Sequence, residues 1–134
     1  MTLIDTSAWI EFFRPKGDPL VKAFVRDLLS IKQAAYTCPV AFELFTGART
    51  EERDDLRSGL DLAMRIVLLP QHWDSAALSN AALRATGINL PASDLLIAIV
   101  AHSKDMPLLA KDAHFETIRE QVLPELKFLS PIQP

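Results

Sequence analysis

Short apolar runs alternate with helical patterns along this chain, and that alternation most limits the folds open to it. Leu3-Ile4, Ala34-Ala-Tyr-Thr37, Arg65-Ile-Val-Leu-Leu-Pro70 and Met106 to Ala110 each read as a short strand, the third as a buried one closed by proline. Helical spacings fill the intervals. They run through Trp9, Ile10, Phe12 and Phe13, from Leu20 to Ser30, from Pro39 at a first helical position to Arg49, and through the charge run Glu51–Asp55 to about Met64. Further ones run from His72 to Thr86 with Gly87 as the stop, from Pro91 to about Ser103, and from His114 to Val122. Strands that alternate with helices imply right-handed crossovers and a mostly parallel sheet covered on both faces, an α/β/α arrangement in three layers. The Pro91–Ser103 pattern is apolar nearly all round and is expected to be buried. Leu126 to Leu129 reads as a closing strand, and Ser130 to Pro134 as a loose tail.

The 134 residues suit one domain spanning 1–134. A hydrophobic fraction of 49% supplies a core, and a net charge of −3 argues against a protein that coats nucleic acid by bulk charge. A local positive groove stays compatible with that balance. The single cysteine, Cys38, excludes an internal disulfide framework and a cysteine zinc cluster, and its apolar surroundings read as core. No signal-peptide pattern opens the chain, and no apolar run reaches the length of a membrane span. A cytoplasmic protein is expected.

Four carboxylates stand where carboxylates do not pack easily. Asp5 follows the first strand, and Asp112 follows the strand ending at Ala110. Glu43 lies inside a helix among Pro39, Val40, Thr46 and Gly47, and Asp94 opens the most apolar helix. Each has an ordinary explanation: Asp5 and Asp112 as helix caps, Asp94 as a first-turn acid with Ser93 as cap, and Glu43 as a side chain reaching out to solvent. Taken together they imply more. In a parallel α/β sheet the carboxyl ends of the strands and the starts of the following helices share one edge, where ligands bind. Acids gathered there repel one another and raise each other's pKa, unless a divalent cation neutralises them. No His or Cys cluster accompanies them, so hard oxygen ligands favour Mg²⁺ or Mn²⁺ over Zn²⁺. The chemistry natural to such an ion is phosphodiester hydrolysis.

These residues resemble the motifs of PIN-domain ribonucleases, in particular the VapC-type toxins of bacterial and archaeal toxin–antitoxin pairs. Leu-Ile-Asp-Thr-Ser-Ala-Trp-Ile is similar to the family's first motif, with Asp5 as metal ligand and Ser7 or Thr6 as its hydrogen-bonding neighbour. Phe-Glu-Leu-Phe-Thr-Gly47 resembles the second and gives Glu43 the role of second acid. Gly-Ile-Asn-Leu-Pro-Ala-Ser-Asp-Leu-Leu-Ile-Ala98 resembles the third, with Asp94 as acid and metal ligand. Leu-Leu-Ala-Lys-Asp-Ala-His-Phe115 resembles the fourth and points to Asp112. The chain departs from the family at Ala110, where a Thr or Ser usually helps orient the fourth acid. The resemblance implies an endoribonuclease using Mg²⁺ or Mn²⁺ on structured RNA such as transfer RNA, leaving 5′-phosphate and 3′-hydroxyl ends. It also implies a homodimer and a cognate antitoxin whose C-terminal segment fills the acidic groove.

An acidic pocket acting on RNA needs cations nearby. Arg14, Lys16, Arg49 and Lys111 are candidates, with Arg49 the first choice as a substrate-binding residue. His114 reads as a helix-start residue rather than an acid–base catalyst, and Trp9 and Trp73 as core or subunit-interface residues. Haloacid-dehalogenase-type phosphatases want a second Asp where this chain has Ser7, and receiver domains want an Asp where it has Pro70-Gln-His. The competing reading is a catalytically silent PIN-fold module that binds RNA or protein.

Overall fold

The computed structural model describes residues 1–129. Four parallel strands, β1 (Thr2–Ile4), β2 (Ala34–Thr37), β3 (Met64–Ile66) and β4 (Leu108–Leu109), lie in the order β3-β2-β1-β4. Leu3 registers with Ala35 on one side and with Leu108 on the other. The helices are α1 (Thr6–Phe13), α2 (Pro19–Ser30), α3 (Cys38–Gly47), α4 (Arg53–Asp61), α5 (Pro70–Ala85), α6 (Ala92–Ser103) and α7 (His114–Gln121). They flank the sheet, as the alternation requires. No helix among the described residues is long and apolar enough to cross a membrane.

The inner strand β1 and its neighbour β4 are wholly buried, so their runs are continuously apolar rather than alternating. α1 starts because Asp5, in an extended conformation, accepts a hydrogen bond from the Ser7 amide at 3.0 Å. It stops at Arg14, ahead of Pro15, because a residue before proline is pushed out of the helical region. Asp18 then caps α2 by accepting from the Leu20 amide at 2.9 Å, with Pro19 at the first helical position. α6 is buried at every position from Asp94 to Ala101 and runs through the core.

Several expectations need correction. The run from Arg65 to Pro70 is not a buried strand. β3 covers Met64–Ile66 and pairs only with β2, so it is an edge strand, with Val67 63% and Leu69 38% exposed. Cys38 is exposed rather than in the core. The chain turns at Thr37, which makes Cys38 the first residue of α3 and Pro39 the second, and only Val40 and Leu44 of that helix are buried. Of the two tryptophans read as core or subunit-interface residues, Trp9 is fully buried in the core, and Trp73 is 55% exposed and so not core, because α5 turns His72, Ala76 and Leu83 inward. Ser93 does not cap α6, which starts from Pro91 with no side-chain cap. The closing strand reduces to a single bridge between Leu108 and Phe128. The tail from Ser130 to Pro134 lies outside the described residues.

Gly17 sits in the turn between α1 and α2, against the backbone of Glu11. A Cβ there would lie 1.8 Å from the Glu11 carbonyl oxygen. Gly17→Ala is therefore expected to displace that turn and lower the melting temperature by several degrees, measured by calorimetry.

Candidate functional site

β1 ends at Ile4, so Asp5 emerges at the carboxyl edge of the sheet, only 3% exposed. Its Oδ2 accepts two hydrogen bonds from Ser7, from the amide at 3.0 Å and from the hydroxyl at 2.7 Å. Ser7 Oγ in turn accepts from the Lys111 amide at 2.8 Å, just beyond β4. A backbone N–H on one strand exit is thus relayed through a hydroxyl to the carboxylate on the next. The capping and buried-acid readings of Asp5 are both true of the one side chain.

Thr6 points elsewhere. Its hydroxyl donates to Glu43 Oε1 at 2.8 Å, which ties α1 to α3 and holds the glutamate at the same rim. Asp94, on the first turn of α6, is 7% exposed. The His114 ring donates from Nδ1 to Asp94 Oδ2 at 2.8 Å and lies 3.3 Å from Asp112 Oδ1. Asp112 also accepts from the His114 amide at 2.9 Å. That pair of contacts orients Asp112 although Ala110 offers no hydroxyl. One ligand atom from each of Asp94, Asp112 and His114 falls within 4.8 Å of the others.

Electrostatics joins the four acids. Burial raises the Asp5 pKa, the Ser7 hydrogen bonds oppose it, and the charge on Asp94 adds to it, leaving a value of about 6. Asp94 is also raised, first by burial, against the His114 hydrogen bond and with the charges of Asp112 and Glu43. Among the described residues, His114 is the only basic group within ion-pair distance of any of the four. Two buried carboxylates, with Asp112 and one imidazole within reach of Asp94, make a donor set suited to a divalent cation. The imidazole qualifies the expectation of a purely oxygen set. His114 was legible only as a helix start, because its chemistry depends on a contact with Asp94, twenty residues away.

The flanking cations divide. Arg14 is paired with Glu11 at 3.1 Å, and Lys111 with Asp18 at 3.0 Å. Arg49 is exposed, and no carboxylate lies within ion-pair distance of its guanidinium among the described residues. Lys16 is exposed in the turn before α2. Beside Glu43 opens a cavity of about 450 Å³, whose walls include Ile10, Phe13, Arg14, Leu44 and Leu56.

The family model described as PIN domain matches residues 2–121. The chain is 32% identical over 123 residues to the ribonuclease VapC11 of Mycobacterium tuberculosis, across 88% of this chain and 91% of that relative. VapC ribonuclease Mb1587 of Mycobacterium bovis matches to the same extent, 32% over 123 residues with the same coverage of both chains. Among solved structures, FitAcB from Neisseria gonorrhoeae is similar with a TM-score of 0.74 at 18% identity, over 96% of this chain and 97% of that one. DNA-bound VapBC from Salmonella typhimurium gives a TM-score of 0.75 at 15% identity, over 96% and 98%. At these identities the structural likeness speaks for the fold.

The raised Asp5 pKa has a stability consequence in metal-free buffer. Below pH 3.8 the carboxyl is protonated in both the folded and unfolded chains and carries no penalty. Between 3.8 and about 6 the unfolded chain has lost the proton and the folded one has not, so stability falls as pH rises. Above about 6 the full cost is present, about 3 kcal/mol. Asp5→Asn keeps the acceptor for the Ser7 amide and removes the charge. It is expected to stabilise the metal-free protein by about 1–3 kcal/mol at pH 7.5, with the gain vanishing near pH 4, read from paired thermal melts.

Proposed function

Since the chain belongs to the PIN-domain family, and within it to the VapC-type ribonucleases, we propose that it is a toxin endoribonuclease that hydrolyses RNA phosphodiesters with a bound Mg²⁺ or Mn²⁺ and is neutralised by a cognate antitoxin. The reading takes residues 1–134 as one such domain, acting in the cytoplasm as a homodimer. The observation that carries it is the convergence of Asp94, Asp112 and His114, one ligand atom from each within 4.8 Å of the others, at the rim where the buried Asp5 also emerges.

Asp5 and Asp94 would hold the ion, with Asp112 and His114 close enough to share it. When bound, such an ion offsets the carboxylate charge, polarises the phosphodiester and acidifies the attacking water. The chain's own residues set the geometry. Ser7 fixes the Asp5 carboxylate through two hydrogen bonds. Thr6 fixes Glu43, leaving its second oxygen free to accept a proton or to orient water. His114 holds Asp94 from one side. Positioning groups of this kind affect metal affinity or activity by about 10–100-fold.

Structured RNA, with transfer RNA as the first candidate, would lay its backbone across the rim toward Arg49. The cavity beside Glu43 suits the antitoxin, whose terminal segment would pack on Ile10 and Phe13 and block the acids. A silent binding module would retain RNA or protein binding without a divalent ion.

Purified protein incubated with total transfer RNA and Mn²⁺ is expected to cut it, leaving 5′-phosphate ends, with activity lost in EDTA. Asp94→Asn is expected to leave no detectable cleavage while the protein stays folded by circular dichroism. Thr6→Val is expected to lower the rate about 10–100-fold. RNA binding without cleavage, together with no Mn²⁺ binding at millimolar concentration, would return the protein to the module reading.

A further inference from the structure

The first turn of α5 meets the last turn of α6, about 14 Å of helix away from Asp94 at the other end. Two side chains make the joint. His72, 5% exposed, accepts from the Leu69 amide at Nδ1 across 2.9 Å, so its proton sits on Nε2 and is donated to Ser103 Oγ at 3.1 Å. Ser103 Oγ donates in turn to the Val100 carbonyl at 3.1 Å. Burial lowers the His72 pKa, and the charge of Lys104 lowers it further, which keeps the ring neutral at pH 7. An imidazole that donates to a serine cannot take that serine's proton. The pair therefore fastens two helices and is not a nucleophile with its base.

Beside the joint opens a cavity of about 470 Å³, a size suited to a small ligand. Its polar wall is Gln71, Ser75, Ser79, His102 and Lys104. Ile99 and Leu123 supply an apolar side. Ser75 and Ser79 stand four residues apart on α5 and so share one face. Among the described residues Gln71, Ser75, Ser79 and Lys104 make no side-chain hydrogen bond. Ser30, Thr86 and Ser103, by contrast, each return the hydroxyl to a backbone carbonyl. No carboxylate belongs to the wall. Asp105, next to Lys104, is held by Lys127 at 2.7 Å. Glu125 lies 3.7 Å from His102, but its side chain is 85% exposed and stands outside the wall.

Unengaged donors from two helices, gathered where carboxylates are excluded, suit an acceptor-rich anion. A carboxylate offers two oxygens to donors arriving from both helices, whereas a phosphate offers three. A bare phosphate would leave most of the cavity and its apolar side to water. We propose that this cavity binds a phosphorylated ligand of mononucleotide size, with Lys104 and His102 at the phosphate, Ser75 and Ser79 along one side, and Ile99 and Leu123 against the base. A free nucleotide and the phosphorylated end of an RNA chain present this same chemistry. The site shares no residue with the acid rim, needs no metal and does not rest on the nuclease reading.

The test is calorimetric titration of the full chain with adenosine 5′-monophosphate in EDTA. Wild type is expected to bind it at or below millimolar concentration, and to bind inorganic phosphate about tenfold more weakly, for want of the apolar contact. Lys104→Glu, at an exposed helix end, is expected to weaken nucleotide binding about tenfold or more, and Lys104→Arg to retain it. Ser79→Leu keeps a good helix former and fills the cavity, and is expected to abolish binding with the thermal melt little changed. Asp94→Asn is expected to bind the nucleotide as wild type does, so failure of this site is distinguishable from failure of the nuclease reading. Absence of binding by wild type at millimolar nucleotide would overturn the proposal. So would binding indifferent to Lys104→Glu and Ser79→Leu, or inorganic phosphate bound as tightly as the nucleotide. A 5′-phosphorylated dinucleotide identifies the source: tighter binding than the mononucleotide supports an RNA end, and weaker binding supports a free nucleotide.

Discussion

β1 is three residues long, and both of its edges are taken by parallel partners. Everything at the rim follows from that. The Asp5 amide donates to the Leu109 carbonyl at 2.9 Å, so the exits of β1 and β4 are locked side by side. The Ser7 hydroxyl then bridges the same two exits through the Lys111 amide. A carboxylate placed there cannot retreat to water, and burial pushes its pKa upward. The fold gives up stability where it gathers charge, a common trade at functional sites.

A mildly acidic protein with an acidic rim would, under the proposed function, still have to attract a polyanion. The surrounding cations divide the task unequally. Glu11 and Asp18 engage Arg14 and Lys111 and so fasten the α1–α2 turn to the end of β4. Arg49 carries its charge without such a tie among the described residues. Under the proposed function, attraction of RNA would rest on a few exposed groups outside the acid cluster, and its salt dependence would be shallow compared with that of a basic nucleic-acid binder.

Much of the fold was legible because it is local. β2 occupies the four residues of its apolar run, Pro19 and Asp18 start α2 as their types suggest, and the all-round apolar pattern of α6 meant burial. The acids were legible as a set because strand ends and helix starts share an edge in this topology. What failed depended on neighbours that a linear pattern does not contain. Ile66 to Leu69 looks like a core strand, yet β3 has a partner on one side only, so Val67 and Leu69 face solvent. Cys38 looks like core by type, but it sits off the inward stripe of α3, which is Val40 and Leu44. The tie between Thr6 and Glu43 spans 37 residues, and no local signal distinguishes it from a second hydroxyl serving Asp5.

The burial of α6 from Asp94 to Ala101 makes that helix a rigid mount for its acid. Around it, the exposed turns at Arg14–Lys16 and at Arg49–Glu52 are free of core packing. Under the proposed function, recognition and chemistry would therefore sit on separately adjustable parts. Preference for one RNA over another could then drift by substitution in the turns, while the carboxylate geometry stays fixed by a core that tolerates little change.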